Sequence, residues 1–481
     1  MIDSAKRVIS GWLPRGRFAR SITVLAGGTG LSQLILAAAS PVLTRLYTPD
    51  EFGLLGVFAG LLALIGVVSS LRFELAIPLP EDDSEAANLL VLCLGLVSLA
   101  AIATAFIVLV GSRWIADRLG FPTLAGVLWL LPLGVFLSGV YGAFSYWSIR
   151  AKRFGTIAST KLRQTAAMIG VQLFAFKLGG PALLVGQVAG QSAGAFSLAR
   201  PVWAAGSLKA VSWKGIVLSA RKFRRFPYFA TWEGLANTAG MQLPAIMLAA
   251  LFGPSAAGIY TLANRILMIP MSLIGTAVGQ VFFSDAAKAH REGRVGELVS
   301  ALHEKLAHLA MTPALALIIL GPDVFEWVFG SQWRGAGEFA RWMMPWVYLV
   351  FVASPLSTLF AVTGKLKQGM AFQLVLLSAR VAALLIGARS GDLLFTIMMF
   401  ASASAACWLG FLVVIARISG NSAVSMLHPS GAAFGHGVLY TLPLLLAKFL
   451  QPDNQAVLLA AMTVSALACA LRYWQLTKRW R

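Results

Sequence analysis

Residues 258–283, GIYTLANRILMIPMSLIGTAVGQVFF, are apolar enough to cross a bilayer, yet they carry Arg265 with Asn264 beside it and Gln280 further on. A guanidinium at the centre of a membrane helix costs roughly 2.5–3.5 kcal/mol on insertion scales, so one retained there needs an oxygen partner. Its planar fork of donors suits carboxylate, phosphate or backbone carbonyl oxygens. Glu233, in the preceding apolar segment, is the available carboxylate. It has two readings: structural partner of Arg265, or the group that takes up a coupling cation. Arg380, in LLSARVAALL, is the second intramembrane arginine. Arg45, with Asp50 and Glu51 close by, reads as an interfacial salt bridge or a snorkelling side chain. Arg72 and Glu74 follow the second span and read as a charge pair at the cytoplasmic boundary.

Other chemistries find no suitable set of residues. Cys93, Cys407 and Cys469 have no paired spacing and fall within spans, so they read as small packing residues. His303 and His308 are five apart, on different helix faces, and read as surface histidines. Asp323 and Glu326 are expected near the outer face, in contact with water. Asp83 and Ser84 form a helix-capping signal within EDDSEAANLL. GGTG, residues 27–30, has no lysine after it and suits close helix packing better than phosphate binding. With no nucleophile motif, metal-ligand set or nucleotide-binding segment, the expectation is a chain that is not an enzyme and takes no cofactor or metal.

The elements that must hold these residues are membrane helices. Of 481 residues, 58% are hydrophobic and 12% charged, against about 25% charged in soluble domains, and mean hydropathy is +0.77. Long apolar runs recur from end to end, as spanning helices require. The expected fold is an all-α integral membrane protein of about fourteen spans, near 21–44, 53–71, 87–111, 124–147, 164–178, 181–199, 227–252, 257–283, 306–329, 342–363, 369–388, 392–416, 434–450 and 455–473. The net charge of +20 is explained by topology: of 39 Lys and Arg, 29 fall on one side, 8 on the other, and Arg265 and Arg380 inside spans. Positive charge collects in the cytoplasm, so both termini are expected there and nucleic acid is not an expected partner. The many tryptophans at span ends, among them Trp114, Trp129, Trp147, Trp203, Trp213, Trp232, Trp333, Trp346 and Trp480, read as interfacial anchors. Tyr146 with Trp147, or Tyr228 with Trp232, are alternatives for stacking on sugar faces.

LYTPDEFGLL (46–55) and LFGPSAAGIY (251–260) repeat at an offset of 205, matching Leu46 with Leu251, Pro49 with Pro254 and Gly53 with Gly258. Each follows a span containing a proline, Pro41 or Pro244. Two parallel six-helix halves are therefore expected, with the substrate path between them. The divisions are 1–20, a basic cytoplasmic tail; 21–205, the first lobe; 206–226, a basic linker; 227–416, the second lobe; and 417–481, two extra helices with a basic tail.

SPVLTRLYTPDEFGLLGVF, LRFELAIPLPEDDSEAANLL and the segment from FPYFATWEGLANTAG to GTAVGQVFF resemble the bacterial polysaccharide transporter family. That family holds the Wzx-type O-antigen and exopolysaccharide flippases of the multidrug/oligosaccharidyl-lipid/polysaccharide flippase superfamily. The resemblance implies two six-helix lobes in a V-shaped bundle in the bacterial inner membrane. It also implies a flippase carrying undecaprenyl-diphosphate-linked oligosaccharide from the cytoplasmic to the periplasmic leaflet, alongside a polymerase and other assembly proteins. On that reading Arg265, Arg380, Arg45 and Arg72 are candidates for the diphosphate, and Asn264 and Gln280 for the sugars. Glu233 is the candidate coupling carboxylate. The alternatives are a cation-coupled multidrug or small-solute antiporter of the same superfamily, which calls for an acidic cavity, and a membrane-embedded glycan polymerase or ligase, which calls for a large outer loop.

Overall fold

The computed structural model describes residues 17–204, 211–452 and 454–479, and among them the chain is helical with no strand. Sixteen helices carry the argument. The first eight are α1 Arg17–Leu46, α2 Pro49–Ser69, α3 Asp83–Arg118, α4 Leu130–Arg150, α5 Phe154–Phe174, α6 Gly180–Ala204, α7 Trp213–Lys222 and α8 Thr231–Phe252. The others are α9 Pro254–Leu267, α10 Thr276–Arg291, α11 Val295–Phe329, α12 Arg334–Ala353, α13 Leu366–Ala388, α14 Leu393–Ser419, α15 Ala423–Leu450 and α16 Gln455–Arg479. Helix occurs at every place where a span was expected, but only eleven helices among the described residues are long and apolar enough to cross a membrane. The expected count of fourteen is not confirmed: among the described residues α1, α5 and the α9–α10 pair are not among the eleven. The single span expected over 257–283 is broken, because Pro270 follows α9 and a π-turn, Met271–Gly275, precedes α10. The hydrophilic connection expected over 284–305 is mostly helix, interrupted only between Arg291 and Val295.

Local sequence explains the helix starts. Thr48 and Glu51 form a reciprocal capping box at α2, with Pro49 in the first turn, where a missing N–H leaves nothing unpaired. Its cousin α9 starts at the matching Pro254. Asp82, not the expected Asp83, caps α3 by accepting from the Ser84 N–H at 3.0 Å. The Ser84 hydroxyl, with that N–H, holds the Asp82 carboxyl below its ordinary pKa. Asp83 is thereby left to pair with Arg150 at 2.8 Å. Between α1 and α2, burial and then Glu51 push the Tyr47 phenol up to about 12, and its hydroxyl donates to the Gln172 carbonyl at 2.5 Å.

Two compact units are present, one formed by Arg20–Leu262 with Arg380–Leu393, the other by Ala263–Ala379 with the helices from Leu394 on. In the first, Phe73, Ile77, Leu89, Leu90 and Phe144 pack α3 and α4 into one core. Gly28 faces Ala158 so closely that a Cβ would overlap it, which is the packing role expected of GGTG. The two repeated turns meet in the same unit. A Cβ on Gly53 would strike the Pro254 carbonyl, and one on Gly258 would strike the Pro49 carbonyl. In the second unit Leu320 of α11 packs with Leu444 and Ala447 of α15 and Leu458 and Ala461 of α16. Trp114, Trp129, Trp203, Trp213 and Trp232 are exposed, as anchors should be, whereas Trp147, Trp333 and Trp346 are enclosed in packing. Trp480 lies outside the described residues.

Candidate functional site

Arg265 sits in the last turn of α9, where the helix C-terminus concentrates partial negative charge and favours a cation. Ala257, Tyr260, Leu262, Ala263 and Leu267 fill the packed side of that helix. Arg265 itself is half-buried, and among the described residues it has no hydrogen-bond or ion-pair partner. Asn264 is half-buried beside it, its carbonyl accepting from the Met268 N–H. Gln280 is on α10; its side chain lies outside the described residues.

Glu233 lies in the apolar helical segment Phe226–Phe252, as expected, but close to its start. It is exposed in the first turn of α8, and among the described residues it forms no ion pair. The neighbouring Gly234 faces Arg72, whose Nε would lie 3.2 Å from a Cβ at that position. Arg72 has φ 60°, a left-handed backbone that a non-glycine residue rarely adopts. From there its Nη1 lies 3.5 Å from Glu74, while its Nε is enclosed without a partner. The buried Glu74 also accepts from the Ser70 hydroxyl. Helix α8 thus places Gly234, the residue after Glu233, against Arg72, and about two turns further on its Gly240 carbonyl accepts from Nη1 of the buried Arg380 at 2.8 Å.

Of the two readings of Arg45, the salt bridge is not formed among the described residues. The Arg45 Nη1 turns back to the Pro41 carbonyl of its own helix at 2.9 Å, and Glu51 is committed to the cap.

Sequence reasoning missed several buried polar contacts. His303 is fully enclosed, not on the surface, and shares a hydrogen bond with Ser430, which also accepts from Tyr348 at 2.9 Å. Asp323 is buried rather than hydrated. It accepts from Lys448 of α15 at 2.7 Å and lies 3.5 Å from Arg334, which bonds Glu326 at 2.5 Å. The signal for this pair was a lone lysine near the end of an apolar helix. Asp323→Ala strands the half-buried Lys448, and breaking one side of an enclosed pair costs about 3 kcal/mol. The expected result is a lower melting temperature in detergent, largely recovered in Asp323→Leu with Lys448→Met.

The fold is similar to that of the lipid II flippase MurJ in an inward closed conformation: TM-score 0.78 at 10% identity, covering 95% of this chain and 99% of that one. It is also similar to an inward-facing multidrug resistance MATE transporter of the MOP superfamily, with TM-score 0.59 at 15% identity over 83% of this chain and 94% of that one. A MOP superfamily transporter from Pyrococcus furiosus, described as having a binding pocket of reverse polarity, gives TM-score 0.54 at 17% identity over 83% and 96% of the two chains. No curated protein matches the chain by sequence. Residues 42–338 match the family described as polysaccharide biosynthesis protein. That match takes in the repeated turns, Arg45, Arg72, Glu233 and Arg265, and with a transporter's helical fold around them the chain belongs to the polysaccharide biosynthesis protein family.

Proposed function

We propose that the chain flips undecaprenyl-diphosphate-linked oligosaccharide from the cytoplasmic to the periplasmic leaflet of the bacterial inner membrane, by alternating access. The product serves cell-surface polysaccharide such as O-antigen or exopolysaccharide, in company with a polymerase and other assembly proteins. The observation that carries this reading is Arg265, a guanidinium in the apolar segment 258–283 for which no described residue supplies an anion. A diphosphate headgroup supplies that anion and gains bidentate, charge-assisted hydrogen bonds. Asn264 and Gln280 are the residues assigned to the sugar hydroxyls, and Arg45 and Arg72 to the headgroup as it enters and leaves. Glu233 is the carboxylate available to a coupling cation. The family and the MurJ-like fold support the reading, and the excess of basic charge on one side supports cytoplasmic termini.

The test is removal of the chain from cells that make surface polysaccharide. Lipid-linked repeat units are expected to accumulate in the inner leaflet, shielded in spheroplasts from a lectin added outside. Unchanged lipid-linked sugars together with lost drug resistance would overturn the proposal in favour of the antiporter.

A further inference from the structure

A proline within a helix has no N–H to donate, so the carbonyl four residues earlier is left without its helical partner. Among the described residues, three such carbonyls receive a side-chain donor from a different helix. In α8, Pro244 frees Gly240, whose oxygen accepts from Nη1 of Arg380 on α13 at 2.8 Å. In α11, Pro322 frees Ile318, which accepts from Nε of Arg341 on α12 at 2.9 Å, while Nη2 of the same arginine reaches Ile319 at 3.2 Å. Also in α11, Pro313 frees Leu309, which accepts from the Tyr473 hydroxyl of α16. The helices come close enough for this through small residues: Gly240 is itself a glycine, and Gly321 abuts Gly337 one turn from Arg341. The match between freed carbonyl and external donor recurs on three pairs of helices with two kinds of donor.

We propose that Arg380 is a positioning residue that replaces the N–H missing at Pro244 and fixes the bend of α8. The sequence alone made Arg380 a candidate for binding the diphosphate. Its geometry instead commits one nitrogen to a backbone oxygen inside packed helices, with the residue as a whole 7% exposed and its charge felt by the neighbouring Tyr260. The inner end of α8 carries Glu233 and the Gly234 surface against which Arg72 rests. The angle at Pro244 therefore sets where that end lies relative to the outer half of the helix. The latch is independent of what is carried; only its consequence for transport rests on the flippase reading.

The test is a double-mutant cycle with Pro244, read by spin-label distances along α8. Labels replace the exposed Trp232 and Leu251 in a cysteine-free background, in the whole protein in lipid nanodiscs. In the parent a single narrow distance is expected. Arg380→Met broadens it, because the Gly240 carbonyl is released and the bend is no longer fixed. Pro244→Ala restores the N–H, closes the helical bond to Gly240 and lengthens the distance; adding Arg380→Met to it changes nothing further. If Arg380→Met alone prevents folding, Pro244→Ala restores a monodisperse protein. Transport of lipid-linked sugar falls at least about tenfold in Arg380→Met, the equivalent of one lost charge-assisted hydrogen bond.

An unchanged distance in Arg380→Met, an equal change in both backgrounds, or misfolding in both overturns the assignment. Parental transport in Arg380→Met despite a broadened distance overturns the consequence for transport alone. The distances need no substrate, so a failure of the flippase reading leaves them intact and the two proposals fail separately.

Discussion

Arg265→Ala is expected to abolish surface polysaccharide while leaving a folded protein in the membrane. Most substitutions of a buried arginine destabilise because they strand a partner. Here no described residue pairs with Arg265, so removing it strands nothing and relieves a half-buried charge. The melting temperature in detergent should hold or rise. The loss falls on the substrate: charge-assisted hydrogen bonds contribute about 1.5–3 kcal/mol each, so losing a bidentate pair to phosphate lowers transport by roughly a hundredfold or more. Arg265→Lys keeps the charge and loses the fork, and should give an intermediate rate. Parental polysaccharide from Arg265→Ala removes the diphosphate role. Unfolding of Arg265→Ala points to a structural partner instead.

The second large effect is expected at the repeated turns. Gly53 and Gly258 face backbone carbonyls, of Pro254 and Pro49 respectively, and neither oxygen can swing aside as a side chain does. Gly258→Ala therefore separates α2 from α9, an overpacking that costs about 3 kcal/mol or more, and Gly53→Ala should do the same. The control is Gly410→Ala in α14, where a Cβ meets nothing within 4 Å. There the methyl should stabilise by about 0.5–1 kcal/mol through helix propensity alone. Thermal unfolding followed by loss of the monodisperse peak in detergent distinguishes the three. Equal melting temperatures for Gly258→Ala and Gly410→Ala would refute the contact.

Much of the fold was legible in the sequence because bilayer thickness sets the length of an apolar run, and helix appears at all the places that length picked out. Hydropathy could not foresee the break at Pro270, since a π-turn of Met, Ser, Leu, Ile and Gly is as apolar as helix. The repeat was visible as Pro49–Gly53 and Pro254–Gly258; that its two copies touch depends on tertiary packing. For individual side chains the sequence was least informative. Asp323 and His303 read as wetted groups because their partners, Lys448 and Ser430, lie 125 and 127 residues later. Arg380 read as a ligand because the acceptor it meets is a backbone oxygen, and every residue has one. The missing clue was the proline four positions beyond that oxygen, a pattern that links a helix-internal Pro to a distant Arg or Tyr.

The partners of α11 bear on how the chain is made. Lys448 and Tyr473 follow the residues they satisfy, Asp323 and Leu309, by 125 and 164 positions. At roughly 5–20 residues per second, a ribosome leaves the Asp323 carboxylate waiting some 6–25 seconds for its lysine. During that interval Asp323 has only the longer contact with Arg334, and the Leu309 carbonyl lacks the Tyr473 hydroxyl. Truncation before α15 should then leave α11 in the custody of the insertion machinery and its proteases, even though every earlier helix has been synthesised.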